Sequence, residues 1–228
     1  MQEIINKTYE FAKKFHEHDH TGHDFDHVRL VYLTAKEILK TEPKADSFVV
    51  LTAALLHDID DHKMGTDGHE TQRFLKSLDL DVNTIQKITD TVGAIGFSKN
   101  GATPDFATLE QKIVSDADKL DAMGTMGIIR TLCFSQAIKR EIFNRDIFPE
   151  ENLTPQRYKD LSRPSNTFIN HFFDKLLKLQ HALQTETGKA LGQQRHIFMV
   201  GFLRHFFIEN NCPDWQDYLT AYLKKNKL

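Results

Sequence analysis

Cysteine is nearly absent: Cys133 and Cys212 are the only two in 228 residues, and neither has a neighbour at metal-ligand spacing. That excludes a disulfide framework and a zinc ribbon. No stretch reaches the roughly 18 to 20 consecutive apolar residues that a membrane-spanning helix needs. The chain opens Met1-Gln2-Glu3-Ile4-Ile5-Asn6-Lys7 without the apolar core of a signal peptide, so the expected location is cytoplasmic. A basic excess is also missing. The formal net charge is -3, which gives no electrostatic reason to expect nucleic acid as a partner. A charged small molecule, held by local groups, remains compatible with that balance.

Strict alternation of apolar and polar residues is scarce, while apolar spacings of three and four recur, so the expected fold is all-α. Phe11 and Phe15 mark a first helix, and Val28, Val31, Tyr32, Ala35, Ile38 and Leu39 stripe a second that Pro43 terminates. A third runs from an Asp46 cap through an unbroken apolar run to His57-Asp58. Short or medium helices follow around Phe74-Leu78, Val82-Ile95 and Leu109-Asp118, the last continuing from Met123 to Ile138. Residues 144–165 hold three of the six prolines and form a connection. Beyond it the pattern predicts two long amphipathic helices, one carrying Phe168, Phe172, Leu176 and Leu179, the other Leu191 to Phe206. A short helix follows Pro213. The expected organisation is a core over 1–143, with helices over 144–228 packed on it and covering the site as one continuous domain.

The chemistry concentrates in three separated segments. An imidazole and a carboxylate side by side at the end of a buried helix, His57-Asp58, are costly to desolvate without a partner, and one cation satisfies both. The competing structural reading has Asp58 capping a turn and His57 filling the core. Five of the twelve histidines lie between His16 and His27. The alternation of His16, His18 and His20 with acids reads as a solvated turn. Gly22 and Asp24 place a helix start near Asp24, which makes His27 a first-turn residue. Asp116, Asp118 and Asp121 form the third segment, and a solvated acidic face accounts for at least one of them. Two imidazoles and two carboxylates make a mixed donor set suited to Mn²⁺, Fe²⁺, Co²⁺ or Zn²⁺. Four protein ligands in an octahedral shell leave two positions for a water and a phosphate oxygen, the arrangement that hydrolysis needs.

The order His27, His57-Asp58, Asp118 resembles the HD-domain superfamily of metal-dependent phosphohydrolases. The segments GHDFDHVRLV, LTAALLHDIDDHK and IVSDADKLDAMGTMGI are similar to its signature blocks, and the tail from Pro164 to Phe206 is similar to the YedJ/YpgQ-type bacterial branch. The resemblance implies an HD-domain helical bundle with an added C-terminal helical lobe. It also implies His27, His57, Asp58 and Asp118 as ligands of a divalent ion, with Mn the first choice and Fe, Co, Ni, Zn or Mg as alternatives. Asp118 is favoured over its neighbours because Ala117-Asp118-Lys119-Leu120 fits the last block, which leaves Asp116 and Asp121 as outer-shell or surface residues. Asp61 becomes a candidate general base, with Asp60 as its competitor.

Phosphate charge needs cations beyond the metal. Lys63 follows the metal-binding helix closely. His171, Lys175 and Lys178 share a face at helical spacing, with Arg163 just before them. The branch implies hydrolysis of nucleoside triphosphates, deoxynucleotides included, to monophosphate and pyrophosphate. Phosphomonoester hydrolysis of a nucleoside monophosphate is the alternative reaction, and a non-catalytic nucleotide or metal sensor is the alternative of another class. The expected partner is a small phosphate ester or nucleotide, with no membrane.

Overall fold

The computed structural model describes residues 1–17, 24–60, 67–95 and 105–228. Among these described residues the regular elements are all helical, with no strand. They are α1 (Gln2–Phe15), α2 (Phe25–Leu39), α3 (Ser47–Leu56), α4 (Glu70–Lys76), α5 (Val82–Gly93), α6 (Leu109–Asp121) and α7 (Gly124–Ala137). Then come α8 (Pro155–Lys159), α9 (Phe168–Asp174), a 3₁₀ helix (Leu176–Ala182), α10 (Glu186–Glu209) and α11 (Pro213–Asn226).

Helix α3, Ser-Phe-Val-Val-Leu-Thr-Ala-Ala-Leu-Leu, is apolar around its whole circumference, and such a helix is stable only in a core. It lies at the centre, packed against α1, α2, α5 and α6. Its start is set by Asp46, whose Oδ1 accepts from the backbone N–H of Phe48 and Val49. A capping box between Thr108 and Gln111 starts α6. These caps fix where each helix begins, and hence which turn each functional residue occupies.

The sequence pattern runs α6 into the following helix, and the structure corrects this. The chain breaks at Ala122-Met123, and Gly124 sits at φ +71, a left-handed conformation that glycine adopts without strain. At Gly127 a Cβ would collide with the Ala122 backbone, so glycine lets α7 fold back tightly.

A second correction concerns the helix expected through Phe168 and Leu179. Helix α9 ends at Asp174, Lys175 takes φ -137 and ψ -60, and the chain continues as the tighter 3₁₀ helix. His171, Lys175 and Lys178 therefore do not share the face of one continuous α-helix. The last helix, α11, has 14 residues and is longer than the sequence suggests.

The C-terminal elements join the same hydrophobic core that begins at Ile5 and reaches Leu219. Trp215 is fully buried, stacked on Phe148 and donating its indole N–H to Arg145 O. Asp116 ties the two regions together. Its carboxylate, on α6, accepts from the backbone N–H of Gln184 and Thr185 and from the Thr185 hydroxyl, at the cap of α10. No described helix is long and apolar enough to cross a membrane.

Candidate metal centre

His57 is the C-cap residue of α3, where the helix stops and its last carbonyls face outward. Its Nδ1–H donates to Ala54 O at 2.9 Å, which leaves the Nε2 lone pair pointing away from the helix. His27 stands in the first turn of α2, placed there by the Asp24 cap, whose Oδ1 accepts the His27 backbone N–H at 3.0 Å. The His27 ring donates from Nδ1 to Asp121 Oδ2 at 2.6 Å, so its Nε2 also faces inward. The two Nε2 atoms are 3.1 Å apart.

Two carboxylates complete the set. Asp58 approaches His27 Nε2 at 3.4 Å and His57 Nε2 at 3.5 Å. Asp118 Oδ1 stands 3.7 Å from His27 Nε2 and 3.8 Å from His57 Nε2. Donors bound about 2.1 Å from one ion at adjacent positions lie about 3.0 to 3.5 Å from one another, so these separations are close to what a shared cation requires. His27, His57 and Asp118 each offer a donor atom within 4.8 Å of the others. The donors are hard oxygens and borderline imidazole nitrogens, with no thiolate, which fits a divalent ion of the manganese-to-zinc series.

The electrostatics favour positive charge at this point. Burial opposes a charge on His27, but hydrogen bonds to Asp121 and Asp58 and the charges of Asp58 and Asp118 outweigh it and hold the imidazole at about 10. A divalent ion meets the same demand. Asp118 is the most open of the four, its side chain 26 % exposed against 0 % for His57, so the centre meets solvent on the Asp118 side.

Behind His27 runs a closed ring of contacts. Asp121 Oδ2 also accepts from Arg130 Nε at 2.7 Å, and Arg130 Nη1 donates to Asp24 Oδ1 at 2.9 Å. Asp24 in turn caps the helix that carries His27. Its carboxyl is held below the ordinary range: burial pushes it up, but the His27 N–H and the Arg130 hydrogen bond and charge prevail. Sequence reasoning misses Arg130. The one signal that could have found it is that it is the lone charge in α7, Gly-Thr-Met-Gly-Ile-Ile-Arg-Thr-Leu-Cys-Phe-Ser-Gln-Ala.

The structure thus brings His27, His57, Asp58 and Asp118 together, and sets Asp121 directly behind them. Asp61 and Lys63 lie outside the described residues, as do His18 and His20. Asp60 uses its carboxylate at the start of α4, accepting from Glu70 N at 2.8 Å and Thr71 N at 3.2 Å. His16, expected in a solvated turn, is buried with its ring edge-on to Phe15. Arg163 is buried in an ion pair with Asp174 at 2.5 Å and donates to Ser165 Oγ at 2.7 Å. Its terminal nitrogens are engaged within the protein rather than directed at the centre. His171 and Lys175 are half-buried. Burial lowers the Lys175 ammonium, while the charges of Asp118 and Asp58 raise it, which places Lys175 within electrostatic reach of the centre.

Residues 24–123 match the HD domain family. Over 198 residues, 85 % of this chain and 86 % of the relative, the sequence is 30 % identical to the YpgQ protein of Bacillus subtilis. A crystal structure from Lactobacillus plantarum superposes with a TM-score of 0.78 at 32 % identity, covering 95 % of this chain and 98 % of that one. The crystal structure of Bacillus subtilis YpgQ in complex with ADP gives a TM-score of 0.67 at 25 % identity, covering 90 % of this chain and 97 % of that one. The chain belongs to the HD-domain family and is a metal-dependent phosphohydrolase of that class.

Proposed function

We propose that the protein hydrolyses nucleoside triphosphates, deoxynucleotides included, to the monophosphate and pyrophosphate. In this reading His27, His57, Asp58 and Asp118 hold one divalent ion, Mn²⁺ by first choice. The observation that carries it is the convergence of these four side chains, from α2, the end of α3 and α6, on one point that opens to solvent beside Asp118. The ADP complex of the Bacillus subtilis relative supports a nucleotide as ligand.

When bound, the ion supplies Lewis acidity and lowers the pKa of water. The chain's own groups do the rest. Asp121 and Ala54 O accept hydrogen bonds from the Nδ1 atoms of the two imidazoles, which turns both Nε2 atoms toward the shared point. Lys175, whose ammonium interacts with the charges of Asp118 and Asp58, contributes positive charge near the centre. Asp61 accepts the proton of the attacking water, and Lys63 neutralises phosphate. The water oxygen adds to the α-phosphorus, the bond to the α,β-bridging oxygen breaks, and pyrophosphate leaves with the electron pair.

The test is product analysis of the Mn²⁺-loaded protein with a panel of nucleotides. Pyrophosphate released from a triphosphate supports the reading. Inorganic phosphate from a monophosphate replaces it with phosphomonoester hydrolysis. Nucleotide binding without any turnover replaces it with a sensor.

A further inference from the structure

Two groups of His27 face away from the metal centre, its backbone N–H and its ring Nδ1, and Arg130 touches the acceptor of each. The backbone N–H donates to Asp24 Oδ1 at 3.0 Å, and Arg130 Nη1 donates to the same oxygen at 2.9 Å. The ring Nδ1 meets Asp121 Oδ2 at 2.6 Å, and Arg130 Nε donates to that same oxygen at 2.7 Å. One guanidinium therefore bonds both oxygens that hold His27, one at its main chain and one at its ring. The three partners come from separate elements: Asp24 caps α2, Asp121 ends α6 and Arg130 lies in α7.

The residue type at this position has a physical reason. The Asp121 side chain is 3 % exposed, and Arg130 is the one permanent cation within ion-pair distance of it among the described residues. A buried carboxylate that loses such a partner is costly to keep. The fork matters as well as the charge. Nε and Nη1 address two acids on different elements at once, which the single point charge of a lysine does not reproduce. Arg130 arrives here because α7 doubles back nine residues after Asp121. Gly124, at φ +71, turns the chain, and a Cβ at Gly127 would collide with the Ala122 backbone.

We infer that Arg130 is a positioning residue for the metal ligand His27. Through Asp121 it fixes the aim of the ring, and through Asp24 it fixes the helical turn that carries the ring. This rests on the four-ligand reading of the metal centre and is independent of which phosphate ester is cleaved. Groups that orient a metal ligand from behind change metal affinity by about 10- to 100-fold. The effect of Arg130 on the ion passes through the two carboxylates, so its contribution is tied to theirs and does not add independently.

The experiment is calorimetric titration of Mn²⁺ into the metal-free full-length protein, with melting temperatures of the same metal-free samples recorded alongside. Arg130→Gln is expected to weaken Mn²⁺ binding by about 10-fold or more. Arg130→Lys keeps the charge without the fork and should recover part of that loss. The double variant Arg130→Gln, Asp121→Asn should lose less than the product of the two single losses, because both changes break one chain of contacts. Wild-type Mn²⁺ affinity in folded Arg130→Gln, whatever its melting temperature, overturns the proposal, since Arg130 would then only hold α7 in place. Single losses that multiply in the double variant also overturn it, because Arg130 would then act independently of Asp121. If Arg130→Gln does not fold, Arg130→Lys makes the same comparisons. A wild type that binds no Mn²⁺ removes the metal centre and the clamp together, whereas Mn²⁺ binding that neither Arg130 variant alters removes the clamp alone.

Discussion

Asp121 holds His27 by a 2.6 Å hydrogen bond from Nδ1, and Arg130 fixes Asp121 from the opposite side at 2.7 Å. The pair couples helix α6 to the first turn of α2 across 94 residues of sequence. It sets the tautomer and the aim of the imidazole, which is how carboxylate-histidine pairs strengthen a metal site. Replacing Asp121 by Asn should leave the fold in place and lower the affinity for Mn²⁺ by about 10- to 100-fold. Competition against a fluorescent chelator reads this directly, and an unchanged dissociation constant would show that the pairing does not tune the site.

Asp116 has a different role, although it lies only two residues from Asp118. It is fully buried and receives three kinds of donor from Gln184 and Thr185, while a Cβ at Gly188 would collide with its carboxylate. Asp116→Ala should therefore cost about 2 to 4 kcal/mol of stability, because it leaves buried N–H groups unsatisfied at the cap of α10. Denaturant unfolding of the variant measures it. A loss under about 0.5 kcal/mol would mean the contact is not holding the C-terminal helices to the core.

The parts of this arrangement that local rules govern are legible in the sequence. Asp24 caps the helix that carries His27, so the capping residue alone puts that imidazole in a first turn. Asp46 likewise starts α3, and the apolar run that follows it ends at His57. The apolar periodicity also locates α2, α5 and α10. What cannot be read depends on tertiary contact. Arg130 meets Asp24 across 106 residues, and no spacing in the chain announces it. The break at Lys175 carries neither Gly nor Pro, so the apolar stripe through Leu176 and Leu179 continues as though one helix ran on. His16 looks solvated among its acidic neighbours but is buried against Phe15. Arg140 follows a left-handed turn at Lys139, a residue type that gives no hint of that conformation.

His171 gives the stability a pH dependence of known sign. In the folded chain its imidazole is held well below 6.5 by burial and by Lys175, Arg140 and Arg163, so it stays neutral, while in the unfolded chain it titrates near 6.5. The unfolded state therefore binds the extra proton, and stability present above about pH 6.5 declines as pH falls below that value. His171→Gln should flatten the fall in melting temperature between about pH 6.5 and 5. Parallel curves for wild type and variant would show that His171 is not the group responsible.

At the centre, Asp58 contacts both imidazole Nε2 atoms, at 3.4 and 3.5 Å. Removing it deletes one of two carboxylate donors, and Asp58→Ala should reduce nucleotide turnover by at least about 1000-fold, within the range seen when a group acting on the transition state is lost. Steady-state kinetics at saturating Mn²⁺ decides this. Turnover within about 10-fold of wild type would take Asp58 out of the reaction.

The most direct test is the metal content of the purified protein. Inductively coupled plasma mass spectrometry after dialysis against Mn²⁺ should find about one ion per chain in the wild type and almost none in Asp118→Ala, with both proteins folded. No bound metal in the wild type, or full loading in Asp118→Ala, would contradict the account.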